Sequence, residues 1–201
     1  MKILSISEAV ECLKKGEVVA YPTETVYGLA VDATNPKAIQ KIFDLKGRSD
    51  QNPISILIPS FEFLPQYVNF FPMRTQELID QYWPGPLTLV FEAKEKVFPE
   101  ALLAGGNKIA IRVSSDPIAS QLCKQFGLPI TSTSANPSGK SPARSAEEVS
   151  DYFSKSTVLQ GCIDGGKRQS KEVSTVLDIC AEPFQLIREG KIRASKLKGF
   201  L

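Results

Sequence analysis

Glu17-Val18-Val19-Ala20-Tyr21-Pro22-Thr23-Glu24-Thr25-Val26-Tyr27-Gly28-Leu29 is an apolar run that turns abruptly polar at a proline. Residues 17–21 read as a buried strand, too short for a helix and stopped by Pro22. Upstream, Ser5-x-x-Glu8 has the spacing of a capping box, and Ala9, Val10 and Leu13 follow at helical intervals until Gly16. Downstream, Asn35-Pro36 places a capping amide before a proline suited to the first helical position, with Ile39, Ile42, Phe43 and Leu45 on one face. Helix and strand patterns then alternate. Strands are expected at 54–58, 87–91, 109–113, 128–132, 158–163, 175–179 and 184–187. Helices are expected at 74–82, from Asp116-Pro117 to Phe126, and from Ser145-x-x-Glu148. This order predicts an α/β fold with helices packed on a mixed sheet, because some late strands have no helix between them. The 201 residues are read as one domain, 1–201, ending in a basic tail at 189–201.

Composition narrows the chemistry. The 24 Lys and Arg against 22 Asp and Glu leave a charge of +2, which argues against a dedicated nucleic-acid coat protein but allows a local basic groove. Histidine is absent, which excludes a Ser-His-Asp triad, a Cys-His pair and an HExxH zinc site. Cys12, Cys123, Cys162 and Cys180 form no CxxC and read as reduced thiols of a cytoplasmic protein. The N-terminus carries no signal-peptide core, and no apolar run approaches the roughly 18 residues of a membrane span. Gly139-Lys140-Ser141 imitates the end of a P-loop, but position 134 is Ser where that pattern needs Gly.

Polar clusters follow the apolar strands. Thr23 and Thr25 lie beyond the first strand, at the edge where ligands sit in open α/β sheets. Lys46-Gly47-Arg48 ends a helix, where two cations complement the dipole. The Gly and the polar residues 49–52 instead suggest a loop offering its charge to a phosphate or carboxylate. Lys108 and Arg112 bracket one strand and, by alternation, share a face. Thr131 to Asn136 forms a run of hydroxyls and an amide after another strand. Ser174-Thr175 and Arg188-Glu189-Gly190 complete the set. Cations and hydroxyls without a nucleophile–base pair suit the binding and polarisation of anions, as in nucleotidyl transfer.

Taken together, PTETVYGL at 22–29, KGR at 46–48, WPGPLT at 83–88, KIAIR at 108–112, STSANPSG at 132–139, VSTV at 173–176 and REG at 188–190 resemble the YrdC family, the threonylcarbamoyl-adenylate synthases. The match spans nearly the whole chain, and Lys46, Arg48, Ser134 and Asn136, the KxR…SxN set, are its most specific part. The resemblance implies a twisted, mostly parallel α/β sheet with a basic concave face. It implies synthesis of threonylcarbamoyl-AMP and pyrophosphate from L-threonine, bicarbonate and ATP, for the tRNA nucleoside t6A37. It assigns L-threonine to Thr25, Arg112, Ser132 and Ser174, and ATP to Arg48, Asn52, Lys108, Ser134, Arg188 and the backbone near Pro142. Lys46 and Asn136 complete the catalytic set around the phosphates. No tightly bound cofactor or protein-held metal is implied; Mg²⁺ would arrive with ATP. The implied partners are proteins of the tRNA threonylcarbamoyl-transfer machinery, with no membrane.

Two departures stand out. Ser49 follows KxR where many relatives have Pro. Leu57 fills the place where some longer relatives have a His near threonine, which suggests an apolar contact to the substrate methyl. Those longer relatives carry a C-terminal domain for which the thirteen residues after Arg188 leave no room. The competing reading is a non-catalytic module binding double-stranded RNA or tRNA on a basic face. A carbamoyl-transferase domain of hydrogenase maturation proteins is disfavoured, because its zinc-finger segments need more cysteines.

Overall fold

The computed structural model describes residues 1–47 and 53–201. Helix α1, Ile6–Lys14, starts where the capping box predicts: Ser5 Oγ accepts from the Glu8 amide, and the Glu8 carboxylate accepts from the Ser5 amide. Strand β1, Val18–Tyr21, is buried throughout and turns back through residues 22–27 into β2, Gly28–Ala30. The polar run after the first strand is therefore a hairpin loop. Helix α2, Pro36–Lys46, is capped by the Asn35 side chain and stopped by Gly47 in the left-handed conformation, φ +58°. Strand β3 is confined to Ile56–Leu57 and is followed by a 3-10 turn over Phe61–Gln66.

Helix α3 is Arg74–Tyr82, and β4, Leu87–Glu92, precedes β5, Lys108–Arg112. Helix α4, Pro117–Phe126, is capped by Asp116. Two short strands follow, β6 at Ile130–Thr131 and β7 at Thr133–Ser134, then α5 at Ala146–Phe153 and β8 at Leu159–Cys162. The chain closes with β9, Thr175–Asp178, β10, Gln185–Arg188, and α6, Ala194–Leu197.

These strands form two sheets. One has the order β7-β2-β1-β8 and the other β10-β9-β4-β5-β3-β6. Both are mixed, as the missing crossover helices predict. The mostly parallel sheet implied by the resemblance is not found. Only β1–β8, β3–β5 and β4–β9 run parallel, and the other five described pairings are antiparallel. The reason is local: β1–β2, β4–β5 and β9–β10 follow one another without a helix between, and strands joined that way return antiparallel.

The main core lies among both sheets and α2, α3 and α5, with Ile39, Ile42, Leu89 and Ile111 fully buried. A second core holds α1 and α4 against the far side, through Leu13, Val19, Leu57 and Leu122. Each such side chain contributes about 1.5–3 kcal/mol when removed from water. The two sheets meet where β6 passes into β7. Ser132, the single residue between them, is thereby held at the junction.

The tail at 189–201 is not a simple solvated end. Ile192 is 8% exposed and Leu197 is fully buried in the main core. Thr175 Oγ1 donates to the Ile192 carbonyl at 2.7 Å and accepts from the amides of Gly190 and Ile192. Sparse apolar residues among many cations hid this anchor.

Candidate active site

A cavity of about 170 Å³ opens where the ends of β5, β7 and β10, the start of β9 and the β1–β2 loop come together. Among the described residues, seven serines and threonines and two arginines, Arg112 and Arg188, line it, and no carboxylate does. Drug-sized ligands occupy roughly 300–1,000 Å³, so this space suits a small polar anion or amino acid.

Its floor is built by short hydrogen bonds. Thr23 Oγ1 lies 2.9 Å from Thr25 Oγ1 and donates to the Val26 carbonyl at 2.7 Å, which closes the hairpin loop and holds both hydroxyls buried. Ser132 is held to Ser55 by two bonds: its amide donates to the Ser55 carbonyl, and Ser55 Oγ donates back to the Ser132 carbonyl at 2.8 Å. Arg112, the last residue of β5, is 4% exposed. Its Nη1 donates to Glu24 Oε1 at 2.8 Å and its Nη2 to Ser132 Oγ at 3.2 Å. On the opposite wall, Arg188 Nη2 donates to the Ser174 carbonyl at 2.9 Å and to Ser174 Oγ at 3.2 Å, and Thr88 Oγ1 donates to the same Oγ. Partial burial first, and repulsion from Arg112 second, lower the Arg188 pKa from its ordinary value. Two guanidinium groups thus face one small space, an arrangement that suits an anion.

The structure brings Thr25, Arg112, Ser132, Ser174, Ser134 and Arg188 to this cavity. Lys46 is placed differently from the charged loop suggested above. It is the final residue of α2, 4% exposed, and its ammonium donates to the carbonyls of Ser134 at 2.5 Å and Asn136 at 2.8 Å. The KxR and SxN motifs are therefore physically joined through Lys46. Asn136 Nδ2 clamps the following turn through the carbonyls of Pro137 and Lys140, while its buried Oδ1 has no hydrogen-bond partner among the described residues. The backbone beside Pro142 is pinned by the Ala143 amide on the Ala135 carbonyl, next to the cavity residue Tyr27. Arg48 and Asn52 lie outside the described residues.

Two residues lie away from the cavity. Lys108 sits at the other end of β5 and pairs with Asp178 at 2.8 Å, because alternation puts it on the same face as Arg112 but a whole strand away. Leu57 packs in the second core and is absent from the cavity lining, where Val26, Ile54 and Val173 supply the apolar contacts.

Sequence reasoning missed Ser55 and Thr88, which are isolated hydroxyls without a polar cluster around them, and the pairing of Glu24 with Arg112. Burial pushes the thiols of Cys123 and Cys162 up to about 12, which disfavours their reactive thiolate form. Among the described residues no three His, Cys, Asp or Glu side chains converge as a metal site.

The sequence profile of the Sua5, YciO and YrdC proteins, described as telomere recombination, matches residues 11–190. The chain belongs to the Sua5/YciO/YrdC family. A relative from Pyrococcus abyssi named threonylcarbamoyl-AMP synthase is 37% identical over 187 residues, which cover 92% of this chain and 54% of the relative. A relative of the same name from Vibrio campbellii is 36% identical over 191 residues, 92% of this chain and 99% of that one. The crystal structure of P. abyssi Sua5 complexed with L-threonine superimposes with a TM-score of 0.92 at 36% identity, over 98% of this chain and 57% of that one. The chain thus spans about half the length of the Pyrococcus relative and nearly all of the Vibrio one. This Sua5/YciO/YrdC chain shares the mixed α/β architecture of those structures.

Proposed function

We propose that this chain is an L-threonylcarbamoyladenylate synthase, a nucleotidyltransferase that makes threonylcarbamoyl-AMP and pyrophosphate from L-threonine, bicarbonate and ATP. The observation that carries this reading is the convergence of Arg112, Arg188, Thr25, Ser132 and Ser174 on one small cavity that no described carboxylate lines. A relative of this fold binds L-threonine, which supports the amino acid as occupant.

In this reading the Arg112 guanidinium pairs with the threonine carboxylate, and the hydroxyls of Thr25, Ser132 and Ser174 orient the rest of the amino acid. The free amine takes up bicarbonate, with loss of water, to give N-carboxythreonine. A carbamate oxygen attacks the α-phosphorus of ATP, the α–β bridging bond breaks, and pyrophosphate leaves. The chemistry requires no strong protein base. It requires two anions held in line and a labile carbamate kept from water. ATP is assigned to Ser134 and Arg188, which line the cavity, together with Arg48, Asn52, Lys108 and the Pro142 backbone. Lys46 and Asn136 act by fixing the SxN turn. Mg²⁺ enters as part of the ATP substrate, and a basic concave face would receive the triphosphate. The product passes to cytoplasmic proteins that transfer the threonylcarbamoyl group to tRNA. No described helix is long and apolar enough to cross a membrane. An RNA-binding module would give no reason to place two guanidinium groups around a space too small for a nucleic acid.

Incubation with ATP, L-threonine and bicarbonate labelled with ¹³C tests the reading. The expected product is an adenylate whose mass carries the ¹³C label and one threonine. AMP or ADP as the sole nucleotide product would contradict it.

A further inference from the structure

We infer that Glu24 is a positioning residue for the substrate carboxylate, and that Ser114 sets Glu24 from outside the cavity. The inference rests on the assignment of Arg112 to the threonine carboxylate. Glu24 lies between Thr23 and Thr25, whose side chains face the cavity while its own does not line it. Its two carboxylate oxygens are separately engaged. Oε1 accepts from Arg112 Nη1 at 2.8 Å, and Oε2 accepts from Ser114 Oγ. The pair is buried, at 4% exposure for the arginine side chain and 12% for the glutamate. Ser114 is fixed in turn, since its Oγ accepts from the Asp116 amide at 3.2 Å, and Asp116 caps α4. Ser114 lines a separate groove rather than the cavity. The Lys191 ammonium holds the Glu24 carbonyl at 3.2 Å, so the loop is restrained on its main chain as well.

The physical consequence is pre-organisation. A free arginine side chain loses rotamer entropy when it is ordered on a ligand. Here Glu24 and Ser132 hold Nη1 and Nη2 before any substrate arrives. The remaining N–H groups of the fork are left to the incoming carboxylate. The Glu24 charge also offsets the repulsion between Arg112 and Arg188, which otherwise opposes a fixed arrangement of both. Removing one partner of a buried pair leaves an uncompensated charge, so stability alone also gives Glu24 a role. The experiment must therefore read substrate affinity apart from folding.

Threonine binding is measured by calorimetry, alongside the KM for ATP and the Tm, for the wild type and for Ser114→Ala, Glu24→Gln and Glu24→Ala. Ser114→Ala is expected to weaken threonine binding about threefold to tenfold with an unchanged KM for ATP, although it contacts nothing in the cavity. Glu24→Ala is expected to lose about thirtyfold or more. Glu24→Gln keeps an acceptor for Nη1 and is expected to recover to within about tenfold of the wild type. Ser114→Ala should add nothing in the Glu24→Ala background, because both act through one contact. Should Glu24→Ala fail to fold, the Ser114→Ala and Glu24→Gln proteins decide. Normal threonine affinity in both, or a KM for ATP that rises in parallel, overturns the proposal while leaving the threonine assignment standing. A folded wild type that binds no threonine overturns both.

Discussion

The Lys46 ammonium donates to the Asn136 carbonyl at 2.8 Å, joining the last residue of α2 to the turn after β7. The Ser138 amide reaches back to the Lys46 carbonyl, so both ends of this one residue hold the SxN segment. The helix end is thus a structural strut of the site rather than a loose bearer of charge.

Lys46→Ala should therefore cost stability as well as activity. It leaves the buried carbonyls of Ser134 and Asn136 without their donor, a loss of about 2–3 kcal/mol. For a chain of this size that is a fall in Tm of about 5–10 °C. A thermal melt checks it: an unchanged Tm would mean that the ammonium is dispensable to the fold.

The tail makes a second case. Leu197→Ala should destabilise by about 2–5 kcal/mol, because Leu197 is fully buried in the main core. Lys196→Ala and Lys198→Ala should stay within about 0.5 kcal/mol of the parent, as surface changes do. Denaturant titration of the three variants measures this directly. Equal stabilities would show that the tail does not anchor the fold.

Selectivity for threonine over serine should come from Val26, Ile54 and Val173, the apolar residues of the cavity wall. One missing methyl is worth about 10- to 200-fold in kcat/KM. Val26→Ala should narrow the gap between the two amino acids, whereas Leu57→Val, confined to the second core, should leave it unchanged. Competitive turnover of serine and threonine reads both effects.

At acid pH the N-terminal capping box should weaken. The Lys2 ammonium, then the Ser5 amide and hydroxyl, hold the Glu8 carboxyl down at about 2, against an ordinary value of 4.5. A depressed carboxyl stabilises the fold above its unfolded pKa, and that contribution is lost as pH falls through the folded pKa. The stability gap between the wild type and Glu8→Gln should thus be constant above about pH 5 and close towards pH 2. A gap that persists at pH 2 would mean that the carboxylate charge is not its source.

What was legible in the sequence was local chemistry. Asn35-Pro36, Asp116-Pro117 and Ser5-x-x-Glu8 declare their helices because a cap acts within three residues. Strands β2 and β7 were not legible: they are three and two residues long, lack alternation, and β7 forms by pairing with the distant β2. The hydroxyls flanking apolar strands include Thr25, Ser132 and Ser174, which the fold brings to one cavity. Which strand ends would meet was hidden, since that depends on the junction of two sheets at Ser132. Lys108 and Arg112 show the limit most clearly: the pattern gave one strand and a shared face, but not which of its ends meets Asp178 and which the cavity.

Pyrophosphate release from ATP, followed with L-threonine and bicarbonate each left out in turn, bears most directly on the central claim that this cavity joins an amino-acid carbamate to an adenylate. Release is expected only when both are present. Equal release without threonine, or without bicarbonate, would contradict it.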